Sequence, residues 1–543
     1  VQLLTTGALV GIYGELPTVS IDRRRRESNP RPKRCRLIAS ASARTSGCER
    51  ILAGLSQRSE ASVNRFPLIF SVVAVLALTS PALAQDSVRS REEAERLGHL
   101  AVESLPDEPA PSFVLRGGTV LTAAGERLEP GYVVVKNGRI ESVGVGEPPA
   151  QGSGVSVIEL KGQFVTPGLI DSHSHLGVYS APGFQGLDDG NEATAPVTAG
   201  VWAEHALWPQ DPGIEMAVAG GVTSMLVLPG SANLVGGRGV AVHLVPARGS
   251  RAMRFPGAPD VLKMACGENP KRVYGEKNAA PSTRMGNLRG QREAFFAAQK
   301  YRDDWRRFTE KAARPADPNA PKKKKGAPEP EAPAPPTRDL GLETLAEVLD
   351  GRVLVEWHCY RADDMLDAIQ LADEVGFKVR AFHHALEAYK IRDILAAKGI
   401  AVATWADWWG FKIEAFDGIE ENAALITEAG GRVAIKSDSP IDIQRLNQEA
   451  GKAFASAKRS GVAMTENDAL RMVTANPAWI LGIDDQVGTI EKGKRADLVV
   501  WDAHPFSVYA HARLVFVDGR LRYDRARRDE PWSDYMLGQE TAP

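Results

Sequence analysis

The chain has 543 residues, too many for one small domain and enough for a large barrel with a smaller companion. Its 43% hydrophobic and 25% charged content is ordinary for a soluble globular protein. Twelve Lys/Arg against five Asp/Glu in residues 1–84 put the remainder near −9 in a chain of net charge −2, and an acidic body argues against nucleic acid as a main partner.

Residues 1–62 include "RRRRESNPRPKRCR" and carry neither a helix nor a strand period. They read as a doubtful upstream segment, disordered, with a basic arm as the alternative. Residues 63–84 follow the layout of a secretory signal peptide: Arg65, an apolar run from Phe66 to Leu78, then Ala82-Leu83-Ala84. Cleavage after Ala84 predicts a periplasmic or secreted protein with no stable membrane insertion. An uncleaved anchor is the alternative, although the run is short for a span. Cys266 and Cys359 are the only cysteines after residue 84, so a disulfide framework is excluded and one bridge is left open.

After a lead-in (85–111), residues 112–165 alternate apolar and polar positions, with a hairpin signal at Asn137-Gly138. Residues 485–543 begin alike, with a second hairpin at Asp518-Gly519. One small β domain, a β-sandwich built from both ends of the mature chain, is the economical inference. Between them, residues 166–484 alternate short apolar strands with helical patterns. The strands are "GLIDSHSH", "VTSMLVLPG", "VAVHLVP", "DVLKMAC", "RVLVEWHCY", "KVRAFHHA", "IAVATWA" and "RVAIKSDSP". The fold class is therefore α/β, a (β/α)8 TIM barrel of parallel strands. Residues 313–339, rich in Pro, Ala and Lys, read as a disordered surface insertion.

In such a barrel, functional groups sit at the C-terminal ends of strands. His173 and His175 end the first strand on one face, because strand side chains alternate. His358 ends the fifth, His383 and His384 the sixth, and Asp438 the eighth. Imidazole and carboxylate suit zinc and its first-row neighbours. A single such histidine is most often a satisfied core residue; the set points to metal. Lys263, late in the fourth strand among apolar neighbours, bears a desolvation cost when charged. Carboxylation by carbon dioxide would make it an anionic bridge between two metals. The alternative is a lysine that reaches solvent or pairs with Glu268.

The pattern resembles the amidohydrolase superfamily over nearly all of 112–524. "PGLIDSHSH" is similar to its opening motif and "GTIEKGKRADLVVWD" to its closing segment. "VLKMACGEN" resembles the carboxylated-lysine strand of hydantoinase-like members. "WHCYRADD" and "FHHALEAY" resemble ligand strands of imidazolonepropionase-like and dipeptidase-like members. The resemblance implies two divalent ions, zinc. His173, His175 and Asp438 would hold one, His358 and His384 the other, and carboxylated Lys263 would bridge them; a single-metal site stays open. His384 rather than His383 matches the family's pattern of histidine followed by a small residue. A metal-activated hydroxide would attack the substrate, with Asp438 as ligand and acid/base.

Candidate substrate contacts are Arg238 in the glycine-rich "PGSANLVGGRG", Asn269, Lys271, Arg272 and Tyr274 after the fourth strand, and Trp405 and Lys412 after the seventh. Each has a structural alternative. The expected function is exported hydrolysis of amide C–N bonds in a dipeptide, N-acyl amino acid or cyclic amide. The partner is a small-molecule or short-peptide substrate, and a homo-oligomer is left open. Phosphotriester or lactone hydrolysis, and a non-catalytic binding barrel, are the alternatives.

Overall fold

The computed structural model describes residues 110–152, 154–313 and 334–527. The expected upstream segment and signal peptide, and most of the Pro/Lys-rich insertion, lie outside the described residues. Among those described, no helix is long and apolar enough to cross a membrane.

Sixteen strands make two eight-stranded sheets. The first takes β1 (Phe113–Leu121), β2 (Arg127–Lys136), β3 (Arg139–Val145), β4 (Ser156–Glu159) and β5 (Phe164–Pro167) from one end of the described chain. From the other end it takes β14 (Leu498–Trp501), β15 (Ala512–Val517) and β16 (Arg520–Asp524). Their order is β16-β15-β14-β5-β1-β2-β3, with β4 also on β1. The antiparallel β5–β14 pair joins the two ends of the chain. Asn137-Gly138 and Asp518-Gly519 turn the two expected hairpins with all four residues at positive φ. The sheet curls around its own core, so Phe113 of β1 stacks on Phe516 of β15 with ring centroids 4.6 Å apart.

The second sheet is a nearly closed barrel in chain order: β6 (Leu169–Ser174), β7 (Val222–Val227), β8 (Val235–His243), β9 (Val261–Ala265), β10 (Leu354–Cys359), β11 (Val379–His384), β12 (Ala401–Thr404) and β13 (Val433–Ile435). The expectation of eight parallel strands is corrected at one place. β8 runs antiparallel to both β7 and β9. The stretch between Val227 and Val235 is too short for a crossover helix, so the chain doubles back. β8 also starts at Val235, so it absorbs the glycine-rich "VGGRG" that lies ahead of the expected third strand "VAVHLVP".

Elsewhere strand and helix alternate as the patterns predict. The helix Ala362–Val375 opens with Asp363 and Asp364, where the helix dipole favours negative charge. It buries Met365, Ala368, Ile369, Ala372 and Val375 along one stripe and ends at Gly376, φ 93°. Inside the barrel, Ile170, Leu226, Val261, Ala381, Ala401 and Ala434 form an apolar floor. Two residues further along three of those strands, on the same faces, come Lys263, His383 and Lys436, all fully buried. An apolar layer therefore carries a polar one, and the polar layer carries the site.

Candidate metal centre

Asp171 closes the barrel where the hydrogen-bonded ladder stops. Its Oδ1 accepts from the backbone N–H of His173 (3.0 Å) and of Ser437 (3.1 Å), and its Oδ2 accepts from the Ser437 hydroxyl. Asp438 N–H then donates to the His173 carbonyl at 3.0 Å. β6 and the residues after β13 are thus locked side by side. Burial pushes the Asp171 carboxyl up to about 6, against the pull of those donors.

Around that lock the ligand candidates converge. His173 Nε2 lies 3.3 Å from His175 Nε2 and 3.5 Å from Asp438 Oδ1, and His175 Nε2 lies 3.2 Å from the same oxygen. Lys263 Nζ is 3.3 Å from His173 Nε2, and His384 Nδ1 is 3.6 Å from Asp438 Oδ2. A tetrahedron with corners about 2.1 Å from its centre has edges of about 3.4 Å, the spacing zinc requires of nitrogen and oxygen donors. His358 packs against His384 with centroids 4.3 Å apart. Both ring nitrogens of His358 and both of His384 are buried without a hydrogen-bond partner. Buried polar atoms are ordinarily paired, so four bare imidazole nitrogens mark a donor set that fits a metal.

The electrostatics agree. Burial, and then the nearby lysines, hold His173, His358, His383 and His384 well below the usual histidine range, so each is a neutral ligand or donor at neutral pH. Burial pushes Asp438 up, but Lys436, His175 and Lys263 outweigh it and keep the carboxyl well below the usual carboxylate range. Burial brings Lys263 down to about 7.

The choice between the paired histidines has a geometric answer. His384 and Ala385 take positive φ (68° and 42°), which turns His384 back over the barrel mouth beside Asp438. His383 points into the barrel, its Nδ1 2.8 Å from His173 Nδ1 and its Nε2 2.8 Å from Glu356 Oε2. The chain Glu356–His383–His173 therefore orients His173 and leaves its Nε2 facing the cluster. His175 is held similarly by the Leu228 carbonyl, 2.8 Å from Nδ1.

The substrate-contact expectations divide. Trp405 lines the site, its ring 4.7 Å from His384 and its Nε1 donating to the Ser437 carbonyl at 2.9 Å. Lys412 reaches across the mouth, 3.9 Å from the Tyr360 ring centroid, 3.4 Å from Glu268 and 3.5 Å from Asn269 Oδ1. Asn269 also donates to Ser231 at 2.8 Å. Lys271 and Arg272 lie half-exposed on the helix Glu268–Gly275. Two placements correct the sequence. Arg238 is not on a loop: it is a buried β8 residue bonded to Thr344, Asp260 and Glu347 at 2.9, 2.5 and 2.6 Å. The buried Tyr274 hydroxyl is committed to the Ala195 carbonyl and Asn233. Lys263 does not pair with Glu268, and Cys359 is not a free thiol, since it is bonded to Cys266 across β9 and β10.

Three residues were missed. Lys436 is fully buried, 3.3 Å from Asp438 Oδ2 and 3.5 Å from the Trp405 ring centroid. Tyr360 lies nearly parallel to His384, 4.8 Å away. Glu356 is the third. The alternation of Lys436 with Asp438, and of Glu356 with His358, was the available signal.

Known proteins share this arrangement. The amidohydrolase family model matches residues 384–523. A crystal structure of an amidohydrolase from Thermotoga maritima superposes with a TM-score of 0.66 at 35% identity, over 76% of this chain and all of that one. Amidohydrolase tasK from Hapsidospora irregularis is 34% identical over 413 residues, 73% of this chain; the chain spans only 40% of that longer protein. A 5-methylthioadenosine/S-adenosylhomocysteine deaminase from Symbiobacterium thermophilum is 24% identical over 76% of this chain and 93% of its own length. With its histidine-rich barrel mouth and full coverage of a solved relative at that identity, the chain belongs to the amidohydrolase superfamily of metal-dependent enzymes.

Proposed function

We propose that the protein hydrolyses an amide C–N bond in a small substrate, a dipeptide, N-acyl amino acid or cyclic amide, after export to the periplasm or medium. The observation that carries this is the donor cluster with its 3.2–3.6 Å edges under an aromatic and lysine rim. His173, His175 and Asp438 would hold one ion, His358 and His384 a second, and Lys263 would bridge them. Bound divalent ions, zinc in this proposal, lower the pKa of water toward neutrality and polarise a carbonyl oxygen.

The chain's own groups do the rest. Lys263, brought down to about 7, offers a neutral amine at neutral pH. Its nitrogen adds to the carbon of carbon dioxide and releases one proton, so a neutral amine among imidazoles becomes an anionic carbamate suited to bridge metals. The carbamate's negative charge also opposes the positive neighbours that hold Asp438 low and makes Asp438 a better base. Asp438 then takes the attacking water's proton and returns it to the leaving nitrogen. Trp405 and Tyr360 exclude water from the His384 side. Lys412, held at 3.3–3.5 Å by Glu268, Glu414 and Asn269, is placed to exchange those partners for a substrate carboxylate.

The test is elemental analysis of protein purified from Gln85 onward, with a hydrolysis panel of dipeptides, N-acyl amino acids, cyclic imides, aminopurines, lactones and phosphotriesters. About two metals per chain that are lost with His173→Ala, together with turnover of the amides, is the expected outcome. Release of ammonia from aminopurines alone would move the reading to a deaminase, the activity named for the Symbiobacterium relative. Turnover of lactones or phosphotriesters alone would refute amide hydrolysis.

A further inference from the structure

A second set of metal-ligating side chains lies at the other end of the barrel. Because β8 is antiparallel, its last residue, His243, does not join the metal centre; it pairs with Ser224 near the start of β7. There it meets Asp497, just before β14, and Asp518, in the β15–β16 hairpin. His243 Nε2 is 3.4 Å from Asp497 Oδ2, and Nδ1 is 3.5 Å from Asp518 Oδ2. One ring nitrogen and one oxygen from each carboxylate lie within 4.8 Å of one another. His243 and Asp497 are 3% and 4% exposed, and His243 Nε2 and Asp497 Oδ2 are both buried without a hydrogen-bond partner.

We propose that His243, Asp497 and Asp518 form a structural site for a first-row divalent cation, zinc being the simplest, that staples the barrel to the second sheet.

The outer oxygens are already engaged. Asp497 Oδ1 accepts from the Asp518 N–H at 2.9 Å, and Asp518 Oδ1 accepts from Arg495 Nη1 at 2.7 Å. Those contacts aim the inner oxygens at the imidazole, the arrangement that outer partners give to metal ligands. The competing account is an imidazolium between two carboxylates. Charged N–H···O contacts close to about 2.7–2.9 Å. Both gaps, 3.4 and 3.5 Å, are too long for that, whereas the 3.4 Å between Nε2 and Asp497 Oδ2 is the spacing of two donors each about 2.1 Å from one zinc ion, and Asp518 offers an oxygen within 4.8 Å of a ring nitrogen and an Asp497 oxygen.

The direct test is anomalous scattering at the zinc edge from crystals of the unaltered protein grown with zinc. A peak between His243 Nε2 and Asp497 Oδ2, separate from any at His173, is expected. Its absence while the His173 site is filled would overturn the proposal. Asp497→Asn keeps Oδ1 for the Asp518 N–H and removes the anionic ligand. It should lower zinc by one equivalent per chain and lower the melting temperature while leaving kcat and KM unchanged. Equal zinc content in the variant and the parent would also overturn the proposal and leave the imidazolium account standing.

Discussion

His383 and His384 are neighbours in sequence with different surroundings. His384 faces Asp438 with both ring nitrogens bare, so His384→Ala should abolish metal binding at that position and activity with it. His383 touches His173 and Glu356 and no other member of the cluster through a hydrogen bond. His383→Ala should keep the metal but weaken its affinity about 10- to 100-fold, as losses of orienting partners do. Titration of each apo-variant with zinc distinguishes them; equal losses would mean that both histidines ligate. Lys263→Ala should be inactive and regain part of its activity with short carboxylic acids, which restore an anion where the lysine carbamate would stand. Full activity without rescue would remove the bridge. His173, His175, His358 and Asp438 were legible as ligand candidates because each follows an apolar strand. Lys436 and Glu356 were not, because a charged residue inside an apolar run reads as a break rather than as the second layer of a barrel interior.

At the scale of elements, the least legible strand was β8. Its glycines, Gly236, Gly237 and Gly239, lie ahead of the expected third strand, but they serve tight packing. A Cβ on Gly237 would stand 2.4 Å from the Val201 carbonyl oxygen, and one on Gly239 2.7 Å from side chains of Leu228 and Val261. Glycine here permits close approach, and Arg238 between them points outward to the helix Leu340–Leu349. Arg238→Met should therefore leave KM unchanged in a folded sample and cost stability. The side chains of Asp260 and Glu347, 12% and 10% exposed, would lose a partner, and breaking such a pair typically costs about 3–5 kcal/mol. Urea unfolding with a parallel KM measurement checks both halves. A raised KM at unchanged stability would return Arg238 to the substrate. The parallel strands were legible for the converse reason: each carries a continuous apolar run with a helical pattern on either side, which only a crossover connection satisfies.

Across the whole molecule, metal and pH act on one set of buried groups, and the sign can be worked out for the metal-free protein. Four imidazoles, those of His173, His358, His383 and His384, are held well below their usual range by burial. As pH falls through 6.5, the unfolded chain takes up protons at these positions and the folded chain does not, so stability falls with pH. Asp171, raised to about 6, and Glu356, raised well above its usual value, act the other way, because the folded state holds protons there that the unfolded state releases. Lys263 and Lys436, brought down to about 7 and about 8, are charged in both states below pH 6.5, so their penalty on the folded state is constant there, is relieved only at higher pH, and adds little slope in this window. Four groups against two leave a net loss on acidification of order 1–3 kcal/mol per pH unit between about 6.5 and 5. Bound metal should raise stability by an offset at each pH without flattening that slope, since ligands held by a cation, like the buried imidazoles of the metal-free protein, take up no protons in the folded state. Thermal unfolding of chelator-treated and zinc-loaded protein at pH 7.5, 6.5 and 5.5 should give a decline for both, with the zinc-loaded protein unfolding at a higher temperature at each pH. Coincident curves would mean that zinc does not bind the folded protein, and that the cluster is a histidine-rich core rather than a metal centre.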